Sequence, residues 1–277
     1  MKVFLRTTNP KPENEDTIGK KSNLHVAEFH KMFIRKIKDG FLNVKPLLKR
    51  PVISWALYDF ANTSFAVVII TVVFPVFFTN IIVPEAIYGK NFGDLMWGIS
   101  SGISMLIASA CAPIFGAIAD TTRPKNRFLT ILTVICAVFC FLLYFTGRGT
   151  VALAMAIFVG ANFFYQTSMM FYDSFLPELA ERGSVGFLSG FGFSLGYLGG
   201  LITLSIIYPL LGNGLQSSNI PTLKLAFIIT AVFFLVFSLP SFLFLKDKKS
   251  YFQFIPTCSK KDRRISYVKY GFQKLGQ

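Results

Sequence analysis

Between residues 52 and 245 the chain is a succession of apolar runs with few charges, at 53–83, 95–119, 128–146, 151–172, 187–211 and 225–245. Each reaches the ~20 residues that a helix rising ~1.5 Å per residue needs to cross a ~30 Å hydrocarbon layer. The pattern predicts an all-α membrane protein with six transmembrane helices over 51–245. Upstream the polar positions take over. Residues 1–22 are rich in Pro, Asn, Glu and Lys and are expected to be a disordered tail. Over 23–50, Phe29, Phe33, Ile37 and Phe41 recur at every fourth position, with Lys31, Arg35, Lys36 and Lys38 on the other faces. That spacing predicts a basic amphipathic helix lying on a membrane surface, and it also suits a helix that docks a partner protein. Residues 246–277 form a basic tail that carries Tyr251, Phe252 and Phe254.

Charge fixes an expected orientation. If the runs cross a bilayer alternately, 25 of the 28 Lys and Arg fall on the side of the two termini, and only Lys90, Arg148 and Lys224 fall opposite. The positive-inside rule then makes both termini cytoplasmic. A net charge of +14 would otherwise invite a nucleic-acid partner. Here the basic residues sit in tails and loops, where they serve topology and anionic headgroups, so the expected partner is the lipid bilayer and no nucleic acid. The composition, rich in Lys, Phe and Ile, points to a bacterial plasma (inner) membrane, with a vacuolar membrane as the alternative. The first apolar run starts too late for a cleaved secretory signal and reads as a retained span. Cys111, Cys136 and Cys140 lie inside spans and Cys258 in the tail, a pattern that implies no disulfide and no metal site.

Polar groups inside the runs are the candidate chemistry, because hydrocarbon penalises them. Asp59 stands about two turns into the first span, and Asn62 and Thr63 follow at i+3 and i+4, on the same helix face. A carboxylate there costs at least ~2.5 kcal/mol unless it faces protein or water, so this face is a candidate cavity lining. A structural hydrogen bond to a neighbouring helix is the competing reading. In the fourth span Asn162 and Gln166 are one turn apart, with Tyr165 beside them, and either join the same pathway or tie helices together. A proton-coupled mechanism would use Asp59. Small residues recur at Gly98 and Gly102, at Ala108, Ala112 and Gly116, and most regularly at Gly192, Gly196 and Gly200. This is the spacing with which membrane helices pack closely. Nothing has the spacing of a metal cluster, a phosphate-cradling loop or a nucleophile–base pair, and His25 and His30 lie in the tail. No enzyme activity and no cofactor are expected.

The segment Gly116-Ala-Ile-Ala-Asp120-Thr-Thr-Arg123-Pro-Lys125-Asn-Arg127 resembles the glycine–aspartate–arginine loop of the major facilitator superfamily. Thr121 replaces the usual first arginine, and Pro124 interrupts the basic run. Three further stretches are similar to the vacuole-effluxer-like (unknown major facilitator) family: Ser54-Trp-Ala-Leu-Tyr-Asp59-Phe-Ala-Asn62-Thr-Ser-Phe65, Phe171-Tyr-Asp-Ser-Phe-Leu-Pro177-Glu178-Leu-Ala180, and Phe191-Gly-Phe-Ser-Leu-Gly-Tyr-Leu-Gly-Gly200. Asp173 stands where asparagine is more usual. The resemblance implies a fold of two six-helix bundles, of which this chain is the N-terminal half, moving a small solute by alternating access. Fungal members export amino acids, so amino acids are the solute class it implies. It also implies a cytoplasmic gate at Gly116, Asp120, Arg123 and Arg127, with Pro177 and Glu178. Asp120 at a helix C-terminus needs a cationic partner, for which Arg123 and Arg127 are the local candidates. The expected partners are a small-molecule solute and a second six-helix half, as a C-terminal continuation, a second subunit or a homodimer. The competing function is a non-transporting membrane scaffold or a degenerate fragment.

Overall fold

A computed structural model describes residues 49–121, 124–180, 184–212, 214 and 219–246, with residues 120 and 121 as backbone alone. The expected amphipathic segment, both tails and Arg123 lie outside the described residues. Among the described residues are six helices long and apolar enough to cross a membrane. They are α1 (Arg50–Ile82), α2 (Phe92–Thr121), α3 (Lys125–Leu142, extended by a 3-10 turn over Leu143–Phe145), α4 (Val151–Asp173), α5 (Val185–Leu211) and α6 (Ile220–Phe244). The bundle end at which α1 starts is called the near end, and the other the far end.

Helix boundaries depart from the apolar runs where local chemistry extends them. Pro51 sits in the first turn of α1, where its missing N–H costs nothing, so the helix begins at Arg50. Helix α6 begins at Ile220 with Pro221 in its first turn. Lys224, which the apolar pattern places in a connection before the run at 225–245, is therefore helical. At the far end the backbone takes positive φ at Gly89 (88°) and Asn91 (63°), which turns the chain from α1 into α2.

Helix α1 is the hub of the bundle. It packs on α5 on one side and α6 on another, while α6 also packs on α3, α3 on α4, and α4 on α2. Its buried face carries Trp55, Tyr58, Phe65, Phe74, Phe77 and Phe78. Phe74 alone meets Trp97 of α2, Phe158 of α4 and Phe227 of α6, with ring centroids 5.5–5.7 Å apart. The hub is not a regular helix. Residues Ala66–Val72 and Phe78–Ile82 are wound as π-helix around a short α segment, Val73–Phe77. Pro75 cannot donate a backbone hydrogen bond to the preceding turn. The Thr71 hydroxyl donates to the Ala66 carbonyl at 2.9 Å within the wide turn below it. Such π turns re-aim one part of a helix against the rest and recur near functional sites.

The two glycine-bearing helices differ. On α5 a methyl group at Gly192 would come within 2.7 Å of the Trp55 ring, and one at Gly196 within 2.8 Å of the Thr63 hydroxyl. At Gly200 it would stand 3.1 Å from Thr63 and Val67, and at Gly199 it would run into the Phe60 carbonyl oxygen. On α2 a methyl at Gly98, Gly102 or Gly116 would meet nothing within 4 Å. Helix α2 buries Ser100, Ser104 and Ala108 instead. The physical reason is rotation: α2 meets α4 through the Ser100, Ser104 and Ala108 stripe, so its glycines turn away.

Candidate functional site

The first polar face sits on the regular part of α1, below the π turns. Asp59 is 9% exposed, and its Oδ1 accepts a hydrogen bond from Asn62 Nδ2 at 3.1 Å. Asn62 Oδ1 in turn accepts from the Tyr165 hydroxyl of α4 at 3.4 Å. Thr63 donates to the Asp59 backbone carbonyl at 2.9 Å, so its hydroxyl hydrogen is committed to α1 itself. The structure thus brings together Asp59, Asn62, Thr63 and Tyr165. The backbone of α5 covers Asp59 and Thr63, since a methyl at Gly196 would lie 3.3 Å from the Asp59 carboxyl carbon and 2.8 Å from the Thr63 hydroxyl.

Asn162 and Gln166 do not join this group by hydrogen bonding. Asn162 Nδ2 donates to Ser104 Oγ on α2 at 2.6 Å, and its Oδ1 is buried without a partner among the described residues. Gln166 is half-buried. Residues 162 and 165 are three apart, close to one helical turn, yet the amide bonds α2 and the phenol bonds α1.

An aromatic platform supports the carboxylate, and its members were not among the residues nominated from sequence. Trp55 stacks on Tyr172 with ring centroids 4.7 Å apart and donates its indole N–H to the Tyr172 carbonyl at 3.3 Å. Tyr58 stacks on the other side at 5.0 Å, and its hydroxyl bonds Thr133 at 2.8 Å and Ser168 at 3.1 Å. The Tyr172 hydroxyl is buried and has no partner among the described residues. Ser241 of α6 donates to the Ser54 carbonyl, fixing the start of α1 against its neighbour. A signal did exist: Trp55 and Tyr58, Tyr172, and Gly192 belong to the three motif stretches at 54–65, 171–180 and 191–200. In three dimensions those stretches touch one another around Asp59.

The near end holds the second candidate group. Glu178, in the short turn Leu176–Leu179 after α4, pairs with Lys125 at the start of α3 at 2.6 Å. Sequence reasoning looked to Arg123 and Arg127 for the cationic part of this gate, but Arg127 is exposed and Arg123 lies outside the described residues. Lys125 has a local reason to seek a carboxylate. A cation in the first turn of a helix opposes the helix dipole, and Glu178 offsets it. The next residue does other work: Asn126 Nδ2 donates to the carbonyls of Phe242 at 2.7 Å and Leu245 at 2.9 Å, capping the end of α6. Pro177 is exposed, and Gly116 has open space around it. Asp120 is in the last turn of α2. Among the described residues no group of His, Cys, Asp and Glu could hold a metal ion.

The sequence profile described as Major Facilitator Superfamily matches residues 1–204. The chain is similar to "Uncharacterized MFS-type transporter YxiO" of Bacillus subtilis (strain 168), 27% identical over 204 residues that cover 68% of this chain and 44% of that protein. It is also similar to an "Uncharacterized protein" of Aquifex aeolicus (strain VF5), 28% identical over 198 residues that cover 70% of this chain and 45% of that protein. The matched region spans under half the length of these relatives. No solved structure matches the chain.

Proposed function

The chain belongs to the Major Facilitator Superfamily, and we propose that it forms one six-helix half of a transporter that moves a small solute by alternating access. It is an integral, multi-pass membrane protein. The observation that carries the proposal is the buried Asp59–Asn62–Tyr165 group, set into a bundle whose outer faces are apolar. Hydrocarbon penalises such a group, and a bundle that served only as an anchor would have no use for it. The α1 polar face, with Gln166 of α4 as a further candidate, is our half-site for the solute. The second half of the site would come from another six-helix bundle, supplied by the remainder of a longer chain, by a second subunit or by a second copy. Helix α2 supports this reading, because its glycine face is bare among the described residues.

Amino acids are the solute class we propose, and the near end is proposed as cytoplasmic, in a bacterial plasma membrane. There the Lys125–Glu178 pair, with Gly116, Asp120, Arg123, Arg127 and Pro177, forms the gate that closes on one side as the pathway opens on the other. The test is counterflow of a radiolabelled amino-acid mixture in proteoliposomes holding the protein with whatever second half it carries. Saturable counterflow that falls at least tenfold in Asp59→Asn supports the proposal. Counterflow no greater than in empty liposomes would remove amino acids as the class, and the same result with a broad panel of small solutes would remove transport.

A further inference from the structure

Few cations stand at the far end, and two of them converge on one connection. Lys224 lies about 6 Å along α6 from its start at Ile220. It is half-buried, and a methyl at Gly147 would lie 3.4 Å from its ammonium nitrogen, so the side chain reaches the connection between α3 and α4. Arg148, which is exposed, is the next residue of that connection. The connection itself is a fixed turn. The Thr150 hydroxyl accepts from the Gly147 N–H and donates to the Gly147 carbonyl, each at 2.8 Å. The Gly149 N–H donates to the Ile82 carbonyl at the end of α1 at 3.3 Å. Neither this turn nor α6 holds an acidic residue. The far-end carboxylates, Glu85 and Asp94, are both exposed and flank the turn from α1 into α2, and among the described residues no carboxylate pairs with Lys224. An ammonium held this close to hydrocarbon without a counter-ion is costly.

Beside the charges the surface turns aromatic and then aliphatic. The end of α3 packs on α6, and there Phe141 and Phe145 are exposed and meet edge to face at 5.9 Å, while Tyr144 meets Phe145 at 5.4 Å. On α6, Leu225 and Val232 are exposed. Cations, then aromatic rings, then aliphatic side chains is the layering of a headgroup boundary. We propose that Lys224, with Arg148, binds the phosphodiester of a phospholipid in the far-end leaflet and prefers a headgroup of net negative charge, such as phosphatidylglycerol. The phosphate supplies the anion that the protein withholds from Lys224, and the acyl chains lie over Phe141, Phe145 and Leu225. A soluble phosphate would meet the same cations but would leave those apolar side chains uncovered. Bound there, the lipid ties the start of α6 to the turn between α3 and α4.

Phe145→Trp puts a reporter on the exposed ring at this end of α3. The protein is reconstituted in dioleoylphosphatidylcholine bilayers in which dibrominated phosphatidylglycerol or dibrominated phosphatidylcholine is raised stepwise at fixed ionic strength. Bromine quenches a neighbouring indole; the quenching of Trp55 and Trp97, measured without the reporter, is subtracted. At the reporter phosphatidylglycerol should be preferred about fivefold, the effect of roughly one cation beside a headgroup. The preference should vanish in Lys224→Gln, weaken in Arg148→Gln and persist in Lys224→Arg. It should also persist in Lys90→Gln, which removes the same charge from the same end. Equal quenching by the two lipids in the reporter protein overturns the proposal, as does a preference that survives Lys224→Gln. A preference that falls as far in Lys90→Gln overturns it too, since the lipid would then answer to the general charge of the surface. Replacing chloride by inorganic phosphate should leave the preference intact; if phosphate erases it, the site takes a soluble anion and the lipid assignment falls. Should Lys224→Gln not elute and melt like its parent, Arg148→Gln against Lys90→Gln carries the test, and equal preference in those two overturns the proposal.

Discussion

Gly199 shows how a single hydrogen atom in place of a methyl sets the geometry of the site. A methyl there would collide with the Phe60 carbonyl oxygen, which is backbone and cannot step aside. Gly199→Ala should therefore push α5 off α1, with an overpacking cost of about 1–3 kcal/mol. A fall of several degrees in the melting temperature of the purified protein checks it; an unchanged melting curve would mean that the two helices are not in close contact. Gly199 was legible only in part, because the four-residue spacing singles out Gly192, Gly196 and Gly200, while the tightest approach falls one residue before the last of them. Lys125 was missed for a related reason. Three basic residues follow Asp120 within one loop, and which of them meets Glu178 depends on where α3 starts, a matter of one residue in the chain. The pair is partly buried, so its coupling should be modest. Lys125→Gln and Glu178→Gln should each lower the melting temperature, and a double-mutant cycle should return a coupling of about 1 kcal/mol or less. Restoration by the charge-reversed pair Lys125→Glu with Glu178→Lys would confirm contact rather than two separate effects.

Whole helices were far more legible than the contacts between them. A run of some twenty apolar residues has few alternatives to a spanning helix, so all six were found, with boundary shifts of a few residues set by prolines and by charged first turns. The irregular winding of α1 left no comparable mark, since Pro75 alone does not say where the wide turns fall. The face shared by Asp59, Asn62 and Thr63 followed from helical spacing. The destination of Asn162 did not, because it depends on which neighbouring helix that position of α4 meets. One consequence lies in α3, which binds two other elements through adjacent residues, Glu178 by Lys125 and the end of α6 by Asn126. Asn126→Ala would leave two carbonyls at the end of α6 without that donor, at about 0.5–1.5 kcal/mol for each hydrogen bond lost. Hydrogen exchange of the amides near residues 242–245 should quicken while exchange in α1 stays as it was. Uniform acceleration across the bundle would instead mark Asn126 as a general stability residue.

The bundle as a whole has one glycine face covered and one bare, and the difference bears on assembly. Helix α5 uses its glycines on α1, inside the bundle, whereas the glycines of α2 have nothing within contact distance among the described residues. If a second six-helix half closes the pathway, α2 is a surface on which it can pack closely. Gly98→Leu or Gly102→Leu should then leave the stability of the bundle within about 0.5 kcal/mol of the parent's, with a melting temperature close to the parent's. It should nonetheless reduce recovery of the assembled transporter, read as the mass of the complex by light scattering in detergent. Loss of the bundle and the assembly together would mean that α2 packs internally; loss of neither would place the second half elsewhere. Orientation is testable on the same scale. The sequence has four cysteines, of which Cys136 and Cys140 are buried and Cys111 half-buried in helices, while Cys258 lies in the basic tail. A membrane-impermeant maleimide should label Cys258 in inside-out vesicles and not in right-side-out vesicles, and Cys258→Ser should remove the signal. Labelling from the outer face would invert the proposed topology. It would then make the Lys125–Glu178 pair part of an external gate, because the near end and the tail leave α6 on the same side.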